Sequence, residues 1–158
     1  LLLTRQALPH AGDADERIES IARGAYVLRR PEAECVALLA SGSEVGVALA
    51  AAALLAQEGI EARVVSVPCV DVFERQDAEW RHAVVPRHLP RVAVEAGSTG
   101  LWWKFVGEYG DVVGLDRFGE SAPAGELFKL FGLTAEVVAE RARRLLANAA
   151  LANVKEAA

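Results

Sequence analysis

Residues 35–40, Cys-Val-Ala-Leu-Leu-Ala, form an unbroken apolar run. A run of this length without polar alternation reads as a strand covered on both faces. It breaks at Ser41-Gly42-Ser43-Glu44, where Ser41 and Glu44 have the spacing of a capping box at a helix start. Val45, Ala48, Leu49, Ala52, Leu55 and Ala56 then recur at helical spacing until Gly59, a residue suited to ending a helix. Residues 62–67 read as the next strand, closed by Pro68. Strand, helix and strand at these lengths make one βαβ unit, which requires parallel pairing and a right-handed crossover.

The pattern continues more loosely on either side. Residues 23–28 read as a short strand. Residues 77–84 read as a helix carrying Trp80, fenced off by Pro86 and Pro90. Residues 91–95 make a strand, 97–100 a turn, 101–106 a short helix with two tryptophans, and 111–115 a last strand. A helix from Ser121-Ala122-Pro123 to Phe131 tolerates proline in its first turn and ends at Gly132. Thr134 caps a final helix whose buried stripe is Val138, Ala142, Leu145 and Ala149. The expected class is α/β, with about five strands in a mostly parallel sheet and helices on both faces.

Composition narrows the function. The chain has 53% hydrophobic and 25% charged residues, as soluble globular proteins do. Its longest uncharged apolar stretch, residues 45–56, is too short to cross a bilayer. A net charge of −5 argues against a nucleic-acid surface, though not against a local phosphate site. Cys35 and Cys69 have no CxxC spacing and read as buried, reduced thiols of a cytoplasmic protein. His10, His82 and His88 show no metal-ligand spacing and read as surface or capping residues.

Ligands of open α/β sheets sit at the carboxyl ends of the strands. Three such ends carry polar residues here. Ser41-Gly42-Ser43-Glu44 suits a cap more than an anion, because Glu44 competes for the helix N-terminus. Glu95 reads as an anchor for its loop. Residues 116–123 read as a cap and turn with no histidine to form a triad. Trp102, Trp103 and Phe105 read as core or inter-domain contacts. No catalytic set emerges, and only Arg5 stands where a guanidinium at a strand edge could grip a phosphate.

The chain begins Leu1-Leu2-Leu3-Thr4-Arg5-Gln6 and contains no methionine. The opening reads as a strand of a preceding domain, and Pro9-His10-Ala11-Gly12-Asp13-Ala14-Asp15-Glu16 as a linker. The expected division is residues 1–17 for that domain end and linker, 18–150 for the α/β domain, and 151–158 for a frayed tail.

Several segments resemble transketolases, in the same order along nearly the whole chain. Leu1–Pro9 is similar to that family's Leu-Ser-Arg-Gln-Asn-Leu-Pro segment. Ile21-Ala22-Arg23-Gly24-Ala25-Tyr26-Val27-Leu28, Ser41-Gly42-Ser43-Glu44-Val45 and Val65-Ser66-Val67-Pro68 follow. So do Asp71-Val72-Phe73-Glu74-Arg75-Gln76, Val94-Glu95-Ala96-Gly97, Phe118-Gly119-Glu120-Ser121-Ala122-Pro123 and Phe131-Gly132-Leu133-Thr134.

The resemblance is to the last transketolase domain plus the closing strand of the domain before it. It implies an enzyme that moves a two-carbon ketol unit from a ketose phosphate to an aldose phosphate. That chemistry uses thiamin diphosphate and a divalent cation (Mg or Ca), and serves the pentose phosphate and Calvin cycle pathways. It implies a cytoplasmic homodimer whose cofactor, metal and catalytic residues lie in the remaining transketolase domains, so this segment alone would bind no cofactor and have no activity. One residue carries over: Arg5 matches the arginine that binds the substrate phosphate, with Thr4 and Ala7 replacing the usual serine and asparagine. A permanently charged planar fork suits that role. The competing readings are a stand-alone α/β module that binds a small ligand or regulator, and another thiamin enzyme such as a deoxyxylulose-phosphate synthase or a keto-acid dehydrogenase β subunit.

Overall fold

A computed structural model describes Thr4, residues 6–9 and residues 18–156. Arg5, His10, the opening strand apart from Thr4, and the linker after Pro9 lie outside the described residues. In chain order the elements are α1 (Ile18–Ala22), β1 (Tyr26–Arg29), β2 (Val36–Ala40), α2 (Glu44–Ala56), β3 (Ala62–Ser66), α3 (Val70–Glu74) and α4 (Ala78–Val84). They continue with β4 (Arg91–Val94), a 3-10 turn (Thr99–Leu101), α5 (Trp103–Val106), β5 (Asp111–Val113), α6 (Ala124–Leu130) and α7 (Ala135–Glu156). The sheet order is β1-β3-β2-β4-β5. Strands β3, β2, β4 and β5 run parallel, and only β1 is antiparallel, on the edge beside β3.

The all-apolar strand β2 lies at the centre, and every one of its five residues is fully buried. Alternation divides it between two cores. Val36, Leu38 and Ala40 face α2 and α7, with Val64, Val92 and Val138. Ala37 and Leu39 face the layer of α3, α4 and α5, with Val65, Phe73, Ala93 and Trp102. On α2 the buried positions are Ala48, Ala51, Ala52 and Leu55, so small side chains let the helix lie close to the sheet and to α7.

Differences from the sequence reading have local causes. The edge strand begins three residues late, because Gly24 turns the chain with φ of +87° just before it. No capping box forms. Ser43 is the residue before α2, makes no side-chain cap, and the Ser41 hydroxyl goes elsewhere. The helix expected over 101–106 divides into the 3-10 turn and α5, and the one expected from Ser121 starts after Pro123. Trp102 is core, but Trp103 is 45% exposed. The α7 stripe is buried at Val138 and Ala142, half-buried at Leu145, and exposed at Ala149. Neither thiol is fully buried: Cys35 precedes β2 and is half-buried, while Cys69 follows Pro68 out of β3 and is exposed.

Arg63, on β3, is a charged group inside the core at 2% exposure. It is tolerated because it is saturated. Its guanidinium pairs with Glu34 at 2.8 Å and donates to the carbonyls of Ala83 and Val84, which end α4. A cation on the last carbonyls of a helix also suits the helix dipole.

Gly24 fixes how the edge strand meets α3. Its carbonyl accepts from the Cys69 N–H at 3.0 Å, and a Cβ there would stand 2.4 Å from both the Cys69 carbonyl oxygen and the Phe73 nitrogen. Backbone cannot yield as a flexible side chain would. Gly24→Ala is therefore expected to cost about 2–3 kcal/mol in chemical denaturation, from overpacking and positive φ together. A loss below about 0.5 kcal/mol, the range of a neutral surface change, would contradict the close approach.

Candidate functional site

Strand β2 pairs with β3 on one side and β4 on the other. The crossovers lie on opposite faces, α2 joining β2 to β3 on one and α3 with α4 joining β3 to β4 on the other. A crevice therefore opens beyond the carboxyl ends of β2 and β4, the switch point at which such sheets hold ligands. Ser41 leaves β2 there, and Glu95 leaves β4. The Ser41 hydroxyl donates to Glu95 Oε2 at 2.6 Å. A second carboxylate, Glu44, is 4% exposed in the first turn of α2 and accepts from the Ser43 hydroxyl at 2.8 Å.

The missing capping box follows from this arrangement. Helix α2 opens at Glu44 with Ser43 before it, so Ser41 and Glu44 do not take the cap and third helical positions, and the Ser41 hydroxyl donates to Glu95 instead. Burial pushes the Glu95 carboxyl above its ordinary pKa, the Ser41 hydrogen bond pulls it back, and the nearby Glu44 charge pushes it up again.

The neighbouring loop is tied by Asp116. It accepts from the Thr99 hydroxyl at 2.7 Å, the Thr99 N–H at 2.9 Å and the Ser98 hydroxyl at 3.2 Å. Those bonds, led by the Thr99 hydroxyl, hold its carboxyl below the ordinary range. Gly97 and Leu115 complete the link, the Leu115 N–H donating to the Gly97 carbonyl at 2.8 Å. Gly114 must stay small, since a Cβ there would lie 2.8 Å from a Thr99 methyl. The outer wall is open, and Phe118 is 96% exposed on it.

Each strand-end residue singled out from the sequence thus has a place. Glu95 is the loop anchor expected, with Ser41 as the partner that sequence reading missed. Their separation of 54 residues left no local signal, although both follow strands. Ser43 and Glu44 hold each other. Asp116 is a loop tie, and Arg117 reaches Glu120 at 2.8 Å. His82 and His88 are exposed and far from this crevice in the chain's order of elements. Among the described residues no group of three or more His, Cys, Asp or Glu could hold a metal ion. Two carboxylates at the crevice, Glu44 buried and Glu95 half-buried, would repel a phosphate rather than cradle one.

Comparison with known proteins decides the family. Residues 24–134 match the model of the transketolase-like C-terminal domain. This chain belongs to the transketolase family, as its C-terminal domain. It is 55% identical over 150 residues to a plasmid-borne transketolase of Cupriavidus necator, covering 94% of this chain and 22% of that protein. It is 46% identical over 151 residues to transketolase 1 of Escherichia coli, covering 92% and 22%. Among solved structures, a Pichia stipitis transketolase complexed with sedoheptulose 7-phosphate superposes with a TM-score of 0.77 at 40% identity, over 82% of this chain and 19% of that one. A split-gene transketolase, described as an inactive β4 tetramer, gives 0.69 at 30% identity, over 90% and 48%. The chain spans about a fifth of the length of the two bacterial relatives, 22% of each. No described helix is long and apolar enough to cross a membrane.

The transketolase domain's crevice makes a pH prediction. A carboxyl whose folded pKa is raised contributes stability that is present below the ordinary value and lost as pH rises through the folded value. The wild-type chain should therefore lose stability on this account as pH rises above 4.5. Glu95→Gln keeps an oxygen for Ser41 and removes the charge. Thermal melts from about pH 4 to about pH 8 should show a flatter curve for the variant and a higher Tm near neutrality. Parallel curves would contradict the burial of Glu95.

Proposed function

We propose that this chain works as the C-terminal part of an enzyme transferring a two-carbon ketol unit from a ketose phosphate to an aldose phosphate, with thiamin diphosphate and a divalent cation, Mg or Ca. The observation that carries the reading is identity of 55% along 94% of the chain to a transketolase. A phosphorylated sugar as substrate accords with the sedoheptulose 7-phosphate of the Pichia stipitis complex. The parent enzyme is a cytoplasmic homodimer acting in the pentose phosphate and Calvin cycle pathways.

Within that enzyme we assign the domain a packing role, including support of the dimer. We assign residues 1–17 to the end of the preceding domain and its linker, 18–150 to the α/β domain, and 151–158 to its tail, into which α7 continues as far as Glu156. Leu101, Trp103 and Phe118 are exposed near the carboxyl ends of the strands, at 46%, 45% and 96%. Large apolar groups so placed suit a surface that other domains cover. The described residues do not fit the cofactor themselves: the crevice carries two carboxylates, Glu44 and Glu95, where a diphosphate needs donors and positive charge. The cofactor and metal accordingly belong to the remaining domains.

Arg5 is the residue of this chain we assign to substrate. A guanidinium fork matches a terminal phosphate in charge and geometry. In the full-length enzyme, Arg5→Ala should raise KM for phosphorylated substrates by about ten- to hundredfold, the loss of a charged hydrogen-bonded pair, and leave unphosphorylated substrates nearly unchanged. Steady-state kinetics on both substrate types checks this, and equal losses on both would contradict the phosphate role.

A further inference from the structure

The amino-terminal end of the sheet is unlike the carboxyl end. The chain as a whole is acidic, with a net charge of −5, yet arginines gather where the parallel strands begin. They come in pairs. Arg30 and Arg63 share Glu34, at 3.4 and 2.8 Å. Arg141 and Arg144 share Asp111, at 3.1 and 2.6 Å. Arg87 and Arg91 form a third pair, for which the described residues offer no carboxylate in salt-bridge contact.

Arg91 is the first residue of β4 and is half-buried. Its Nε is shut off from solvent with no hydrogen-bond acceptor among the described residues. Leaving a buried charged donor unmatched is costly, and native structures rarely do so without a reason. Burial, and then the Arg87 charge, lower the Arg91 pKa from its ordinary value. Both arginines line one cavity of about 650 Å³, whose other walls include Leu89, Val106, Tyr109 and Leu145. The same two arginines line a smaller cavity of about 150 Å³ toward Phe73 and Phe105. Gly107 keeps its backbone against Arg91, since a Cβ there would lie 3.3 Å from Nη2. Glu108 also lines the larger cavity, but it makes no ion pair with either arginine.

We propose that Arg87 and Arg91 form a binding site for a phosphate-bearing small organic anion. Two guanidinium groups with no carboxylate of the described residues in salt-bridge contact call for a ligand carrying close to two negative charges. A phosphate monoester has about −1.5 to −2 near neutral pH and enough acceptor oxygens for both forks. The apolar walls and the exposed Tyr109 ring accommodate the organic part. This site is at the opposite end of the sheet from the Ser41–Glu95 crevice, and its assignment does not depend on Arg5.

The test is calorimetric titration of the 158-residue chain with glycerol 3-phosphate at low ionic strength, with inorganic phosphate as competitor. Saturable one-to-one binding is expected, displaced by inorganic phosphate. It should weaken at least about tenfold in Arg91→Gln and in Arg87→Gln. It should be unchanged in Arg143→Gln, which removes a surface arginine paired with Glu58. Arg87 is exposed, so its variant decides the matter even if Arg91→Gln fails to fold. Absence of saturation, survival of binding in Arg87→Gln, or equal weakening in Arg143→Gln would overturn the proposal.

Discussion

The structure depends on burying β2 from both sides. A strand with no polar residue has no face to offer water, so helices must cover both. Antiparallel hairpins would not supply them, whereas crossovers do. Once α2 covers one face and α3 with α4 the other, β3 and β4 are forced to opposite sides of β2. The crevice between their exits is then a consequence of topology rather than of any particular loop.

Charge follows the same polarity. Helices that follow parallel strands start at the carboxyl edge of the sheet and end at the amino edge. Their dipoles favour carboxylates at the first edge and cations at the second. Glu44 sits in the first turn of α2, and Arg63 reaches the last carbonyls of α4. With Glu44 and Glu95 already occupying that edge, the domain is poorly suited to hold a diphosphate at its switch point. That agrees with the supporting role proposed for this domain and a catalytic role for others.

Much of this was legible in the chain. The unbroken run at 35–40, the spacing of α2 and the stop at Gly59 specify the βαβ unit by local rules, and the ordered motifs from Ile21 to Thr134 carry the family. What was not legible depends on contacts between distant segments. The antiparallel sense of β1 is set by its pairing with β3, not by its own four residues. The Ser41 hydroxyl looked like a helix cap because sequence spacing cannot see Glu95 across 54 residues. The arginine pairs escaped notice for the same reason: Arg141 and Arg144 lie 30 and 33 residues from the Asp111 they share. Arg87 and Arg91 are neighbours in sequence, but nothing local reveals that Arg91 is buried without an acceptor.

On the proposed function, this domain supports a ketol-transfer enzyme without containing its reaction centre. The most direct measurement is turnover of a ketose phosphate and an aldose phosphate by the purified 158-residue chain, given thiamin diphosphate and magnesium, beside the full-length enzyme that includes it. Turnover by the full-length enzyme and none by the chain alone is the expected result for a supporting domain. Ketol transfer by the chain alone would contradict it.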